Sequence, residues 1–135
     1  MKKILLLLVI VLVPLCAGAE VTCSGINNQT VTLTVSGEAG QITQATLEGL
    51  LTSAQWQGLT SVIVTNADGS AAGITADEVK AIVTECTSLT KLNLLGMTSL
   101  SGSLSALSCP TLTSLVMPMG TDIDATAFGG NVTAI

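Results

Sequence analysis

The chain of 135 residues contains no histidine, no tyrosine and no arginine, and its only aromatic residues are Trp56 and Phe128. Without histidine it cannot form a Ser-His-Asp or Cys-His catalytic relay or a histidine-ligated zinc site, and without arginine it has no bidentate clamp for phosphate. Asp and Glu are the only candidate acids and bases, none flanks a recognisable nucleophile, and carboxylate hydrolases usually bind sugars against aromatics. The composition therefore argues against an enzyme, and no catalytic residue or cofactor is predicted.

Positive charge is also scarce, with four lysines against nine acidic residues. Lys2 and Lys3 lie in a leader, so a mature chain beginning at Glu20 carries two lysines and nine acids, a net charge of −7. This charge repels nucleic-acid backbones and anionic lipid surfaces, and two aromatics provide little stacking surface for single-stranded nucleic acid. We expect no nucleic-acid partner.

The first part of the chain, residues 1–19, has the features of a secretory signal peptide: Lys2 and Lys3, an apolar run over residues 4–15, and small residues at 17–19. The apolar run is shorter than the roughly 20 residues that a membrane-spanning helix needs. We therefore expect an exported protein, secreted or at the cell surface, with no membrane span. Lipid anchoring through Cys16 is the rival interpretation, disfavoured because bulky Leu15 precedes it.

A short pattern, L-x-x-L-x-L, recurs at residues 59–64, 89–94 and 112–117. Residues 31–35 alternate in the same way, and residues 132–135 open a further copy. In this alignment Val35 corresponds to Val64, and the last step along the chain is shorter than the first two. The period of two predicts short strands, and regular recurrence predicts that they stack in parallel, because one unit buries its apolar edge only against copies of itself.

The segments between the strands differ. Apolar residues at helical spacing predict a helix in each of the first two returns: Leu47, Leu50, Leu51 and Ala54, then Val79, Ile82, Val83 and Cys86. Thr75 and Glu78 form a capping-box sequence that starts the second helix. The third return, residues 97–108, is rich in Ser, Thr and Gly and is predicted to be irregular.

Together these patterns predict an α/β fold: a short leucine-rich-repeat solenoid with a curved parallel sheet, helical returns in the first two units and irregular returns after. Residues 20–30 form an N-terminal capping segment, and residues 31–135 form the array, which is truncated inside its last unit. An open last unit indicates one of two alternatives: the N-terminal piece of a longer array, or end-to-end self-association with another copy. The alternative is an ordinary α/β domain in which the pattern recurs by chance.

Two segments carry a family resemblance, residues 86–94 and residues 109–118. They resemble the C-x-x-L-T-x-L-x-I-P units of BspA-like leucine-rich-repeat proteins on bacterial surfaces, and the step from Cys86 to Cys109 is similar in length to that family's repeat. Residues 127–130, Ala-Phe-Gly-Gly, resemble its A-F-x-G element. Met97 and Gly120 depart from the asparagine found in many leucine-rich repeats. The resemblance implies a bacterial surface or secreted binding module, often adhesive.

Residues between the inward leucines should form three columns on an exposed face. The columns are Thr32, Ser61, Lys91 and Ser114; Thr34, Ile63, Asn93 and Val116; and Ser36, Thr65, Leu95 and Pro118. The predicted partner-binding residues are the aliphatic side chains with their polar neighbours: Ile63, Lys91, Asn93, Leu95, Val116 and Pro118. The alternative is that these are scattered surface aliphatics, which are normal on any protein.

Three cysteines follow the leader, Cys23, Cys86 and Cys109. Cys86 and Cys109 hold the same repeat position, and stacked strands about 4.8 Å apart bring equivalent residues within the range of a disulfide. A ladder of buried small thiols is the favoured interpretation, and a disulfide is the alternative.

A calcium loop is a weaker hypothesis. Residues 66–79 resemble a dockerin-like loop and helix, but the register places Val64 and Thr75 where calcium requires carboxylates. Asp122 and Asp124 are interpreted as solvated, and no metal site is predicted. The favoured function is protein recognition or adhesion through the exposed sheet face, and the second hypothesis is a structural spacer or truncated array without a ligand.

Overall fold

The computed structural model describes residues 20–67, 73–104 and 107–118. The predicted leader with Cys16, the predicted unit after residue 118 and the carboxylates Asp68, Asp122 and Asp124 lie outside these ranges. The described chain is a mixed α/β fold built on a mostly parallel sheet of five strands.

Five strands form the main sheet in chain order, and a pair of two-residue strands forms a small second sheet. In the main sheet β2, β3, β5 and β7 are parallel, whereas β1 is antiparallel to β2. The main strands are β1 (Glu20–Cys23), β2 (Thr30–Ser36), β3 (Ser61–Asn66), β5 (Lys91–Gly96) and β7 (Ser114–Val116). The small parallel sheet pairs β4 (Ile74–Thr75) with β6 (Leu100–Ser101).

Alternation places every second strand residue in one core, as the period of two predicts. Helix residues complete this core, so the helices cover one face of the sheet. The strands contribute Val21, Val31, Leu33, Val35, Val62, Val64, Ile74, Leu92, Leu94 and Leu115.

The last three strands of the main sheet align as the repeat predicts, with Val62 level with Leu92 and Leu92 level with Leu115. The alignment predicted for β2 is wrong by two positions, because Thr30, not Thr32, pairs with Ser61. The first step along the chain is therefore longer than predicted. Alternation alone cannot distinguish these alignments, since a shift of two keeps the same side chains inward.

One hydrogen-bond arrangement recurs where each parallel strand begins. The carbonyl oxygen of Gln29 accepts from the N–H groups of Thr60 and Ser61, at 2.9 and 3.2 Å. In the same way the Thr60 carbonyl accepts from Thr90 and Lys91, at 2.8 and 3.0 Å. The Thr90 carbonyl accepts from Thr113 and Ser114, both at 3.0 Å. The start of β3, β5 and β7 is thus hydrogen-bonded to the backbone at the start of the preceding parallel strand.

The first return contains two short helices, where a single pattern from Leu47 to Ala54 was expected. They are α1 (Gln44–Leu50) and α2 (Ser53–Gln57). The chain is extended at Leu51 because Thr52 and Gln55 form a capping box that begins α2. Trp56 is fully buried, and its indole N–H donates to the Leu47 carbonyl at 2.7 Å, which joins the two helices.

The second return is α3 (Ala76–Glu85), which begins directly after β4. The predicted capping box is confirmed, since Thr75 Oγ1 accepts from the Glu78 N–H and Glu78 Oε1 accepts from the Thr75 N–H. The Glu78 carboxylate, only 2 % exposed, also accepts from the N–H groups of Gly40 and Ile42 at 2.8 and 3.0 Å. One side chain therefore caps α3 and holds the loop that follows β2.

The third return differs from the others: its described part, residues 97–104 and 107–113, contains β6 but no helix, in agreement with the prediction. Throughout the part of the chain that the structure covers, no helix has both the length and the apolar character to cross a membrane.

Candidate functional site

The sheet face turned away from the helices is the candidate recognition surface, called the outer face here. It consists of the strand residues between the core positions, and all are at least partly accessible. They are Thr30, Thr32, Thr34 and Ser36 on β2, Ser61, Ile63 and Thr65 on β3, Lys91, Asn93 and Leu95 on β5, and Ser114 and Val116 on β7.

The chemistry of the outer face changes from one side to the other. All four outward residues of β2 carry a hydroxyl group, whereas Ile63 and Val116 flank Asn93 in one row across the later strands. Lys91 lies between Ser61 and Ser114 in the neighbouring row, and its side chain is exposed. The aliphatic side chains and the single lysine of the face therefore occupy the same region.

A β-bulge gives this region its most exposed apolar side chain. Ile63 pairs with Asn93, but Thr65 pairs with Gly96, so β5 has one more residue than β3 between these pairs. The prediction that Leu95 is level with Thr65 is therefore wrong. Leu95 is 52 % exposed, and Ile26, at 41 %, is the other large apolar residue with high exposure in the described chain. Bulges bend a strand and redirect side chains.

Three polar or small residues fix the bulge. Asn93 Oδ1 accepts from the Leu95 N–H at 2.9 Å, and the Asn66 side-chain amide donates to the Gly96 carbonyl at 3.1 Å. A β-carbon on Gly96 would lie 2.7 Å from Thr65 Cβ, so this close pairing requires glycine. The position of Leu95 is therefore determined by specific contacts on both sides.

Five of the six predicted site residues lie together on the outer face: Ile63, Lys91, Asn93, Leu95 and Val116. The prediction of an exposed Pro118 is wrong, because Pro118 is buried. Strand β7 ends at Val116, so the alternation that would turn residue 118 outward does not continue. Asn93 also has a role that its position alone did not predict, since its oxygen is bonded within the bulge.

The acidic residues of the described chain lie away from the centre of the outer face. Glu20 lies on β1 at the edge of the sheet, where it pairs with Ser36, and Glu38 follows β2. Glu48 lies on α1, and Asp77, Glu78 and Glu85 lie on α3. No outward residue of β2, β3, β5 or β7 is acidic. The aliphatic region around Lys91 is thus free of carboxylates in a strongly acidic chain.

The described ranges contain no group of three or more Cys, Asp or Glu side chains arranged to hold a metal ion. The weak dockerin-like hypothesis depended in part on Asp68, which lies outside the described residues.

The sequence contained indications of the bulge that the prediction did not use. Gly96 interrupts the alternation at the end of β5, and glycine within a strand pattern often marks a bulge. Asn66 is the last residue of β3, and its side-chain amide bonds to the Gly96 carbonyl on β5.

Comparisons of the chain with protein-family models, curated proteins and solved structures found no match.

Proposed function

We propose that this protein is an exported recognition or adhesion module, a short leucine-rich-repeat solenoid that binds a protein partner through the outer face of its sheet. The observation that carries the proposal is the bulge at Leu95. It leaves an aliphatic side chain, 52 % exposed, on the strand that carries Lys91 and Asn93, next to the strand that carries Ile63. Exposed apolar groups with polar neighbours are typical of protein-binding surfaces.

The proposed solenoid architecture is supported by the repeated strand entries. The strands that begin at Thr30, Ser61, Lys91 and Ser114 are parallel neighbours in chain order. At each step a carbonyl oxygen accepts from two N–H groups at the start of the next strand. A stack of coils, each contacting its neighbours, produces this arrangement.

The distribution of charge indicates the chemistry of the partner. Lys91 and Lys80 are the only cationic side chains after the leader, and Lys91 lies on the outer face. A partner segment with aliphatic side chains and a carboxylate opposite Lys91 would match this surface. The carboxylates of α1 and α3 would repel the same segment from the helical side.

Leu95→Asp tests this proposal. The secreted form of the chain is measured by biolayer interferometry against purified extracellular-matrix proteins and bacterial envelope proteins. For a protein that the wild type binds, we expect Leu95→Asp to weaken affinity about tenfold or more, because an ionised group would then be buried in the contact. The bound state should also weaken at higher salt, since Lys91 contributes an ion pair.

The matched control is Ala45→Asp, which adds the same charge at an exposed position on α1. Binding should not change in this variant. Equal weakening by both substitutions, or wild-type affinity in Leu95→Asp, would exclude the outer face. If the wild type bound no protein in the panel, the spacer hypothesis would replace recognition.

A further inference from the structure

Cys86 and Cys109 occupy equivalent turns in successive parts of the chain. The Leu89 N–H donates to the Cys86 carbonyl at 3.1 Å, and the Leu112 N–H donates to the Cys109 carbonyl at 3.0 Å. Each cysteine precedes a paired core leucine, Leu92 or Leu115, by the same number of positions. Both side chains are buried, at 0 and 3 % exposure, so both belong to the same core.

The second turn lies directly against the first. Thr111 Oγ1 donates to the Leu89 carbonyl at 2.6 Å, and Cys109 Sγ is 3.9 Å from the same oxygen. The strands that follow the two turns are parallel neighbours, and such strands lie about 4.8 Å apart. Disulfides join residues whose α-carbons are about 4.4–6.8 Å apart. Turns stacked at this spacing would bring the α-carbons of Cys86 and Cys109 within that range.

We propose that Cys86 and Cys109 form a disulfide cross-link between neighbouring turns, made while the chain folds after export. Both cysteines are free thiols in the structure, and the proposed cross-link would form from them by oxidation. The cross-link rests on the proposed export, because disulfides persist in oxidising compartments. It does not depend on the identity of any binding partner.

The reaction is thiol–disulfide exchange with an oxidised thiol carrier. One cysteine thiolate attacks the carrier disulfide to form a mixed disulfide, and the carrier's first sulfur leaves as a thiolate. The second cysteine thiolate then displaces the carrier's other sulfur and forms the S–S bond. The two cysteines lose two electrons and two protons in total, and the carrier gains them as two thiols.

The core determines when this reaction can occur. Burial, the neighbouring Glu85 carboxylate and Cys109 together raise the pKa of the Cys86 thiol from 9.0 to about 12. The Cys86 thiol of the folded protein is therefore mostly un-ionised at pH 8, and the thiolate is the reactive form. Exchange is consequently fast before the core closes and slow afterwards, so folding fixes the redox state.

Oxidative refolding tests the cross-link. Reduced, urea-unfolded protein is refolded at pH 8 with oxidised and reduced glutathione, and free thiols are counted in denaturant. We expect the count to fall from three to one and the intact mass to fall by about 2 Da. After the leader, trypsin can cut only at Lys80 and Lys91, so Cys86 and Cys109 are released in separate peptides. These peptides, residues 81–91 and 92–135, should be linked.

Three cysteine variants and a comparison of oxidation rates make the test more specific. Cys23→Ser should leave the linked peptides unchanged, whereas Cys86→Ser and Cys109→Ser should abolish them. Adding oxidised glutathione to the folded, reduced protein should oxidise the pair at least 100-fold more slowly than oxidation of the unfolded chain. Three free thiols after refolding, or a link to the Cys23 peptide, would overturn the cross-link. Equal oxidation rates would overturn the proposed control by burial.

Discussion

The second and third returns of the chain both lead into an aligned parallel strand, although only the second forms a helix among the described residues. Between β3 and β5 the chain forms α3, whereas the shorter connection between β5 and β7 forms no helix in its described part. In both cases two N–H groups at the start of the next strand donate to one carbonyl oxygen that lies just before the previous strand. This carbonyl belongs to Thr60 for β5 and to Thr90 for β7. Strand register is therefore set at the entry turn, and the returns are free to vary.

The helical returns bury large side chains and form side-chain hydrogen bonds away from the sheet. The first return buries Trp56, and the second supplies Glu78, whose carboxylate bonds back to the loop after β2. The third return is held instead by the bond from Thr111 to the Leu89 carbonyl and by the pairing of β6 with β4. Substitutions in the helical returns should consequently cost most.

The largest effect is expected for Trp56→Ala, which would remove the largest side chain of the helical returns. We expect the free energy of unfolding to fall by about 3–5 kcal/mol, because a cavity remains and two helices lose their contact. Urea unfolding followed by far-UV circular dichroism measures this. Trp56→Phe, which keeps an aromatic ring but loses the donor to the Leu47 carbonyl, should cost less. Equal costs would show that the hydrogen bond dominates.

A smaller loss is expected for Glu78→Gln. The amide retains one acceptor oxygen but turns a donor toward an N–H group, so at least one of the bonds to Gly40, Ile42 and Thr75 is lost. We expect a loss of about 1–3 kcal/mol in urea unfolding. The control is Glu48→Gln on α1, which is exposed and should change stability little. A similar change in both variants would mean that the buried carboxylate does not support the helical return.

The smallest effect, about 1 kcal/mol, is expected for Asn93→Ala in the bulge, where the Leu95 N–H would lose its acceptor. Hydrogen exchange at the Leu95 amide, measured by NMR, should become faster. Asn93→Asp keeps an acceptor oxygen and should preserve the protection. Unchanged exchange in Asn93→Ala would show that the bulge is held by Gly96 and Asn66 alone.

The parts of the fold that local patterns specify were predictable. Alternating apolar residues predicted β2, β3, β5 and β7, and the Thr75 capping box with its apolar helix face predicted α3. The start of α2 follows the same rule, because Thr52 and Gln55 also form a capping-box sequence, but the apolar spacing from Leu47 to Ala54 favoured one continuous helix. Competing local patterns therefore caused that error.

The other errors involve pairing between distant residues. The short strand β1 pairs antiparallel with β2, and this pairing has no signature in the repeat. The displacement of Leu95 depends on how Gly96 approaches Thr65 and on the reach of Asn66. The period of two is unchanged by a shift of two positions, so the alignment of β2 could not be predicted from alternation.

The reversed direction of β1 has a consequence for how sheets from separate molecules could join. Within the described residues β1 forms one edge of the main sheet. A strand that approached this edge in the direction of the other strands would meet an antiparallel neighbour, and the hydrogen-bond spacing that repeats from β2 to β7 would not continue there. Orderly extension of the parallel pattern into a fibre is thus interrupted on this side. β1 is also only four residues long and begins with the exposed Glu20, and short, charged edge strands limit pairing between the sheets of separate molecules.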